Sequence, residues 1–464
     1  MVLVDPVKVQ RYTEAGWWGS VTLWDLFVQH VRSHPDAPAV ADACNRESYL
    51  HGPPRRLSWA GLSLEVDRMS GLMLDLGLTR DDIVIAQMPN CIEQFVVYLA
   101  CARLGLIISP VPIQFREHEL DQIVSLTQAR AVVTFSRITA SRDAHEAAAM
   151  WLALRARHPS LQHVMSWGPD APTGVCNIPS CWPEADRPCR ARVAHAERQA
   201  AVTANDVFTV CWTSGTEAAP KGVPRSHNEW LVVAPSIIEA GQLQPGIRLL
   251  NPFPLINMAG LSTAFATWLV LGATVIQHQP FSLPVFLQQL REESIDYTVA
   301  PPAILNTLLQ NERLLDGIDL SRLKRIGSGS APLSDWMVRG LQERHGVRVV
   351  NYFGSNEGAA LTSSDIDIAD PALRAQFFPR AGVSGYTWHI STTRKIETRL
   401  VDPVSDEDIH EAGRVGELRF SGPTIFSGYF RAPELDARAF DARGFYRTGD
   451  LFELAGPRLE YYRY

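Results

Sequence analysis

The sequence is poor in cysteine, in long apolar runs and in positive charge, and each shortage excludes a class of protein. Seven cysteines in 464 residues cannot make the dense disulfide framework of a small secreted domain. Cys176, Cys181 and Cys189, with His195, fit no common zinc spacing and read as free thiols in an irregular connector. The longest apolar run, Ala264 to Ile276, is too short to span a bilayer and contains Thr and Gly. The start, Met1 to Lys8, lacks the charged and apolar regions of a secretory signal. With 43 Lys and Arg against 50 Asp and Glu, the net charge is -7, and no basic cluster suggests a nucleic-acid partner. No tandem repeat of any usual period is present. These absences predict a cytoplasmic protein without a membrane span.

What is present is an ordinary globular composition, 46% hydrophobic and 20% charged. A chain of this length buries a large core and divides into about two to four units. Thr22 is placed to cap a helix carrying Leu23, Leu26, Phe27, His30 and Val31 on one face, stopped near Pro35. Ser58 starts another, with Leu62, Val66, Met69, Met73 and Leu76 inward and Gly77 beyond its end. Strands at 83–88, 106–111 and 131–135 then alternate with helices at 91–104 and 117–128, which predicts a doubly wound parallel sheet. A second alternating set has strands at 208–212, 249–253, 274–277, 297–300, 325–327 and 348–353. From about Pro379 short Gly-punctuated segments, such as 416–421, suggest a small antiparallel β unit. The predicted fold is therefore α/β: two doubly wound sheets with flanking helices plus a small β-barrel-like subdomain. Expected divisions are 1–190 (with 168–206 as a connector), 191–378 and 379–464.

The segment Thr213-Ser-Gly-Thr-Glu-Ala-Ala-Pro-Lys-Gly-Val223 follows a buried strand. Hydroxyls, glycines and a lysine after a strand form a place to hold polyphosphate: glycine admits close approach, hydroxyls donate, and the ammonium neutralises charge. The Walker spacing is absent. Three later groups extend this loop into a nucleotide site. Gly327-Ser-Gly-Ser-Ala-Pro-Leu333 follows a strand, where open α/β sheets place ligands. In Asn351-Tyr-Phe-Gly-Ser-Asn-Glu357, Phe353 can stack on a base and Glu357 can hold a divalent cation on phosphates. Tyr446-Arg-Thr-Gly-Asp450 offers a carboxylate for ribose hydroxyls.

On these motifs, with Phe115–Leu120 and Gly422-Pro-Thr-Ile-Phe-Ser-Gly-Tyr-Phe430, nearly the whole chain resembles the adenylate-forming superfamily. That superfamily comprises acyl- and aryl-CoA synthetases, peptide-synthetase adenylation domains and luciferase. The resemblance implies that Ser214, Thr216 and Lys221 line the loop over the β- and γ-phosphates, beside Thr213 and Gly215. It implies catalytic roles for Thr216, Lys221 and Glu357, with Thr216 and Glu357 on Mg²⁺. Asn351 and Phe353 flank adenine, Asp450 holds the ribose, and Ser330, Ala331, Pro332, Tyr352, Gly354, Ser355 and Asn356 complete the nucleotide site. His227, Trp230, Asn257, Met258, Gly260 and Gly329 are assigned to the acid pocket. The implied activity is attack of a carboxylate on the α-phosphorus of ATP, with pyrophosphate leaving, then transfer of the acyl group to a thiol, CoA before others.

Several positions depart from the family pattern. Glu217 and Ala218 replace a hydroxyl and a glycine of the loop, Asn356 replaces a threonine, and Asn257 replaces a histidine. The segment Ile256–Met258 carries no carboxylate for an amino-acid ammonium, so a hydrophobic acid is expected, alicyclic, aromatic or medium-chain. Relatives continue past a hinge into a small domain bearing a lysine for the α-phosphate; that domain is expected to be absent here, leaving the chain nearly inactive in complete ligation. Transfer to an amine or a carrier-protein thiol, and a binding module without turnover, stay open as alternatives. A homodimer is compatible with the sequence.

Overall fold

The computed structural model describes all residues except 141–142 and 214–219. Local rules account for many of its boundaries. Thr22 accepts the Asp25 N–H at 3.1 Å while Asp25 accepts the Thr22 N–H at 2.8 Å, a reciprocal cap that starts helix Leu23–Ser33. Ser58 caps helix Trp59–Asp75 through the Gly61 N–H. Helix Ile92–Leu104 is buried on every side, as expected of a helix apolar all round. Its Glu93 and Arg103 are tolerated because Arg46 and Arg55 pair with the first, and Asp67 and Glu197 with the second.

Two large sheets pack around this helix. A seven-stranded sheet runs in the order Lys221–Ser226, Val207–Thr213, Ile107–Pro110, Ile83–Ala86, Ala131–Phe135, His163–Trp167, Cys176–Asn177. An eight-stranded sheet runs Gly358–Ser363, Arg348–Ser355, Arg325–Gly329, Tyr297–Val299, Arg248–Asn251, Thr274–Gln277, Pro38–Ala41, Arg56–Ser58. Pairing is parallel inside both and antiparallel only at edges. One hydrophobic core joins residues of both sheets, Val84 and Ile108 from one with Val40, Leu249 and Val275 from the other. A third sheet of five antiparallel strands spans Phe377–Pro379 to Tyr461–Arg463.

The expected division at 190/191 does not describe these sheets. Val207–Thr213 and Lys221–Ser226, beyond that point, complete the first sheet, with Thr209 paired to Ile108. Pro38–Ala41 and Arg56–Ser58, far before it, extend the second, with Val40 paired to Val275. An apolar strand joins whichever sheet edge leaves its backbone groups otherwise unpaired, and chain order does not say which edge that is. The supposed connector 168–206 is also structured. Asp186 caps helix Arg187–Ala200 through the Cys189 N–H, and Cys189, Val193 and Ala200 face inward. The signal was present, since Asp186 followed by Pro188 is a helix start.

Candidate active site

Parallel strands Arg325–Gly329 and Arg348–Ser355 lie side by side, so the turns after them share one end of the sheet. Gly329 must be glycine there, because an added Cβ would lie 2.4 Å from the Tyr352 carbonyl oxygen. Ser330 next to it turns the chain away at φ 67°. The two turns bring Ser330, Ala331, Pro332, Asn351, Tyr352, Phe353 and Gly354 into the wall of one pocket, which Asp450 closes from the third sheet. The Asn351 amide is tied to the Ala375 carbonyl at 3.1 Å, and Phe353 packs edge-on to Phe452. Burial raises the Asp450 carboxyl above its ordinary range, against a hydrogen bond donated by Tyr464 at 3.4 Å.

A second cavity, of about 100 Å³, shares Ser330, Tyr352, Phe353 and Gly354 with the first. Met258 and Gly329 line it, as do Val233, Ile237, Phe253, Val299 and Leu361. None of its lining residues carries a charge.

Glu357 sits with Asn356 at the tip of the hairpin joining Arg348–Ser355 to Gly358–Ser363. Its carboxylate accepts from the Tyr429 hydroxyl at 3.0 Å, and its carbonyl accepts from the Phe426 N–H. Lys221, opposite Thr213 in the antiparallel pair, holds its ammonium 5.7 Å from the centre of the Tyr429 ring. One tyrosine thus touches both the lysine and the glutamate. Burial, and then the Glu357 carboxylate, raise the Tyr429 hydroxyl, so it remains a donor. Tyr429 was missed as a site residue, although it stands in the 422–430 motif. Ser214, Gly215 and Thr216, with Glu217 and Ala218, lie outside the described residues. Ser355 is exposed, and its hydroxyl accepts from the Glu357 N–H.

Five of the expected residues serve the scaffold. Asn356 turns away from the pocket: its Oδ1 accepts from Met258 N at 2.8 Å and its Nδ2 donates to the Trp212 carbonyl at 3.0 Å. Asn257 caps the short helix Met258–Gly260 through the Gly260 N–H. His227 is buried, stacks on Phe208 at 5.3 Å and accepts from Leu23 N, and burial lowers its pKa to about 4. Trp230 lies in the core with its indole N–H on Thr209 and the Arg225 guanidinium 5.4 Å from its ring. Both cavities lack His227, Trp230 and Asn257. Gly260 stands where a Cβ would meet the Pro254 carbonyl oxygen at 2.0 Å, so it fixes backbone spacing.

Arg225 is the other residue that spacing did not disclose. Fully buried, it donates to the carbonyls of Asn356, Glu229 and Thr424. It thereby ties the hairpin bearing Lys221 to the turn bearing Glu357 and to the segment leading to Tyr429. Among the described residues no group of three His, Cys, Asp or Glu stands ready to hold a metal. Glu357 is buried and, like Lys221, lines neither cavity.

Comparison with known proteins agrees with this architecture. The AMP-binding enzyme family matches residues 27–430. The chain is 29% identical over 451 residues to the 2-hydroxy-7-methoxy-5-methyl-1-naphthoate–CoA ligase of Streptomyces carzinostaticus, covering 95% of this chain and 74% of that enzyme. It is 26% identical over 442 residues to the medium-chain fatty-acid–CoA ligase of Escherichia coli K12, covering 95% and 71%. The solved apo structure of Mycobacterium smegmatis MbtA superposes with a TM-score of 0.79 at 22% identity, over 99% of this chain and 78% of that one. With a match spanning most of its length, the chain belongs to the family of AMP-binding enzymes.

Proposed function

We propose that the protein activates a carboxylic acid with a largely apolar body, as an acyl-adenylate made from MgATP, and passes the acyl group to the thiol of coenzyme A. The observation that carries this reading is the shared wall of the two cavities. An acid seated in the uncharged cavity and a nucleotide seated against Asp450 meet at Ser330 and Tyr352–Gly354. That junction is where a carboxylate would approach the α-phosphorus. Holding two anions in line converts a bimolecular encounter into an intramolecular one, and fixed positive charge offsets their repulsion. Lys221 supplies an ammonium at one side of Tyr429, and Glu357 at the other would hold Mg²⁺, which would supply charge neutralisation on the phosphates. The new bond joins carboxylate oxygen to the α-phosphorus as pyrophosphate leaves with the electron pair. A thiolate then displaces AMP from the activated carbonyl.

The acid's class follows from the cavity. An amino acid would bring an ammonium group to a wall without a counter-charge. The two CoA ligases named above act on a naphthoate and on medium-chain fatty acids, acids whose bodies suit such a cavity. The test is pyrophosphate release across a panel of aryl, alicyclic and medium-chain acids, each with CoA, with amino acids or with neither. Acid-dependent release, and a thioester with CoA, are expected. Release that ignores the acid would overturn the reading, and an amide product would overturn the acceptor.

A further inference from the structure

The hydroxyl groups around the acid cavity are not equivalent. Ser236 donates to Val233 O, Ser262 to Met258 O, Thr263 to Ala259 O and Ser328 to Ala300 O. Each therefore spends its proton on the backbone behind it and shows the cavity little hydrogen-bonding capacity. Thr392, in helix Ser391–Lys395, differs. It lines the same cavity and is 3% exposed, yet its Oγ1 has no hydrogen-bond partner. Thr362 on the same wall also makes no side-chain hydrogen bond, but among the described residues of this wall only the Thr392 Oγ1 is itself shut away from solvent without a partner. Thr392 also stands apart from the nucleotide, since it lines the acid cavity but not the neighbouring pocket.

An enclosed hydroxyl without a partner is unfavourable unless something it meets in use completes it. A 120° step of χ1 carries the hydroxyl to the place of the methyl and the methyl to that of the hydrogen, so the hydroxyl can be turned from its enclosed position toward the cavity. The helix that carries Thr392 lies between strands Phe377–Pro379 and Glu397–Val401 of the third sheet, outside every motif of the nucleotide site. It is held against the eight-stranded sheet by Ile390, which packs with Ala240 and Val350. Its position is therefore fixed by the scaffold.

Resting on the acid-activating reading above, we infer that Thr392 is a specificity-determining residue, completed by an oxygen function carried on the body of the acid. The substrate class is then narrower than an apolar acid: an acid whose body bears a hydroxyl, methoxy or keto group away from the carboxylate. A site built to hydrogen-bond such a group discriminates strongly against the analogue that lacks it, whereas a purely apolar wall does not.

The experiment uses matched acid pairs of the same skeleton, with and without the oxygen substituent, in acid-dependent pyrophosphate exchange. The unaltered protein should prefer the substituted member by ~10-fold or more in kcat/KM. Thr392→Val, nearly isosteric, should erase that preference, and Thr392→Ser should retain it. A preference unchanged in Thr392→Val, or no preference in the unaltered protein despite robust turnover of both acids, overturns the inference and leaves the acid-activating reading standing. Absence of acid-dependent exchange with every acid overturns that reading instead.

Discussion

Glu357 and Lys221 owe their relation to a residue that neither motif contains. Tyr429 donates its hydroxyl to the glutamate and offers its ring face to the lysine. Removing Glu357 or Lys221 takes away a group that meets charge in the transition state, worth about 3–4 kcal/mol, or roughly 10²–10³ in rate. Glu357→Ala and Lys221→Ala should therefore fold with unchanged melting temperature and lose adenylation to that extent. Tyr429→Phe keeps the ring under Lys221 and removes only the hydrogen bond to the carboxylate. Its expected effect is smaller, a loss of about 10-fold in kcat/KM for MgATP, in line with one hydrogen bond to a charged group. Steady-state kinetics with circular dichroism on the same samples checks the ranking. A Tyr429→Phe variant as impaired as Glu357→Ala would show that the hydrogen bond, and not the ring position, carries the effect.

At the scale of elements, the hairpin Lys221–Ser226 is held in register with the active-site turns by Arg225. Its guanidinium is shut away from water with three carbonyls as partners, so burial lowers its pKa. Arg225→Met fills the space but leaves those carbonyls unpaired, and should cost about 3 kcal/mol of stability in denaturant titration. The short helix that follows the hairpin, His227–Leu231, carries the next prediction. Burial is the leading cause that holds His227 at about 4, below its unfolded value of 6.5. The folded state therefore prefers the neutral ring. The corresponding stability is fully present above pH ~6.5 and is lost as pH falls through about 4. His227→Asn should flatten that part of the stability–pH curve, while the pH–rate profile above 6.5 should show no step that His227→Asn removes. A rate step near 6.5 that vanishes in the variant would return this histidine to catalysis.

The molecule as a whole is knit by strands that cross its linear order. Strands Val207–Thr213 and Lys221–Ser226 finish a sheet begun at 83–86, and strands Pro38–Ala41 and Arg56–Ser58 join one whose other strands start at 248 and beyond. Helix Ile92–Leu104 lies in a core common to both. Cutting the chain near residue 190 should accordingly yield two pieces that each expose a sheet edge and half of a core. Neither piece is expected to show a cooperative thermal transition alone, whereas co-expression should recover one. A fragment 1–190 that melts cooperatively by itself would contradict the shared core.

Much of this protein is legible one segment at a time. Thr22 and Ser58 mark their helices because capping depends on neighbours within four residues, and the strand 131–135 is apolar except for Thr134. The turns at 330–333 and 351–354 line one pocket with Asp450, since the ends of neighbouring parallel strands face one way. Only the tertiary structure decided the rest. Asn356 and Asn257 bind backbone, His227 and Trp230 sit in the core, and Arg225 and Tyr429 bridge segments about 70 to 200 residues apart. The same residue types serve a ligand or a scaffold according to what packs against them, and long-range packing has no periodicity to read. Local chemistry sets where chain segments can bind phosphate; which side chains are left free to do so is set by the contacts that satisfy all the others.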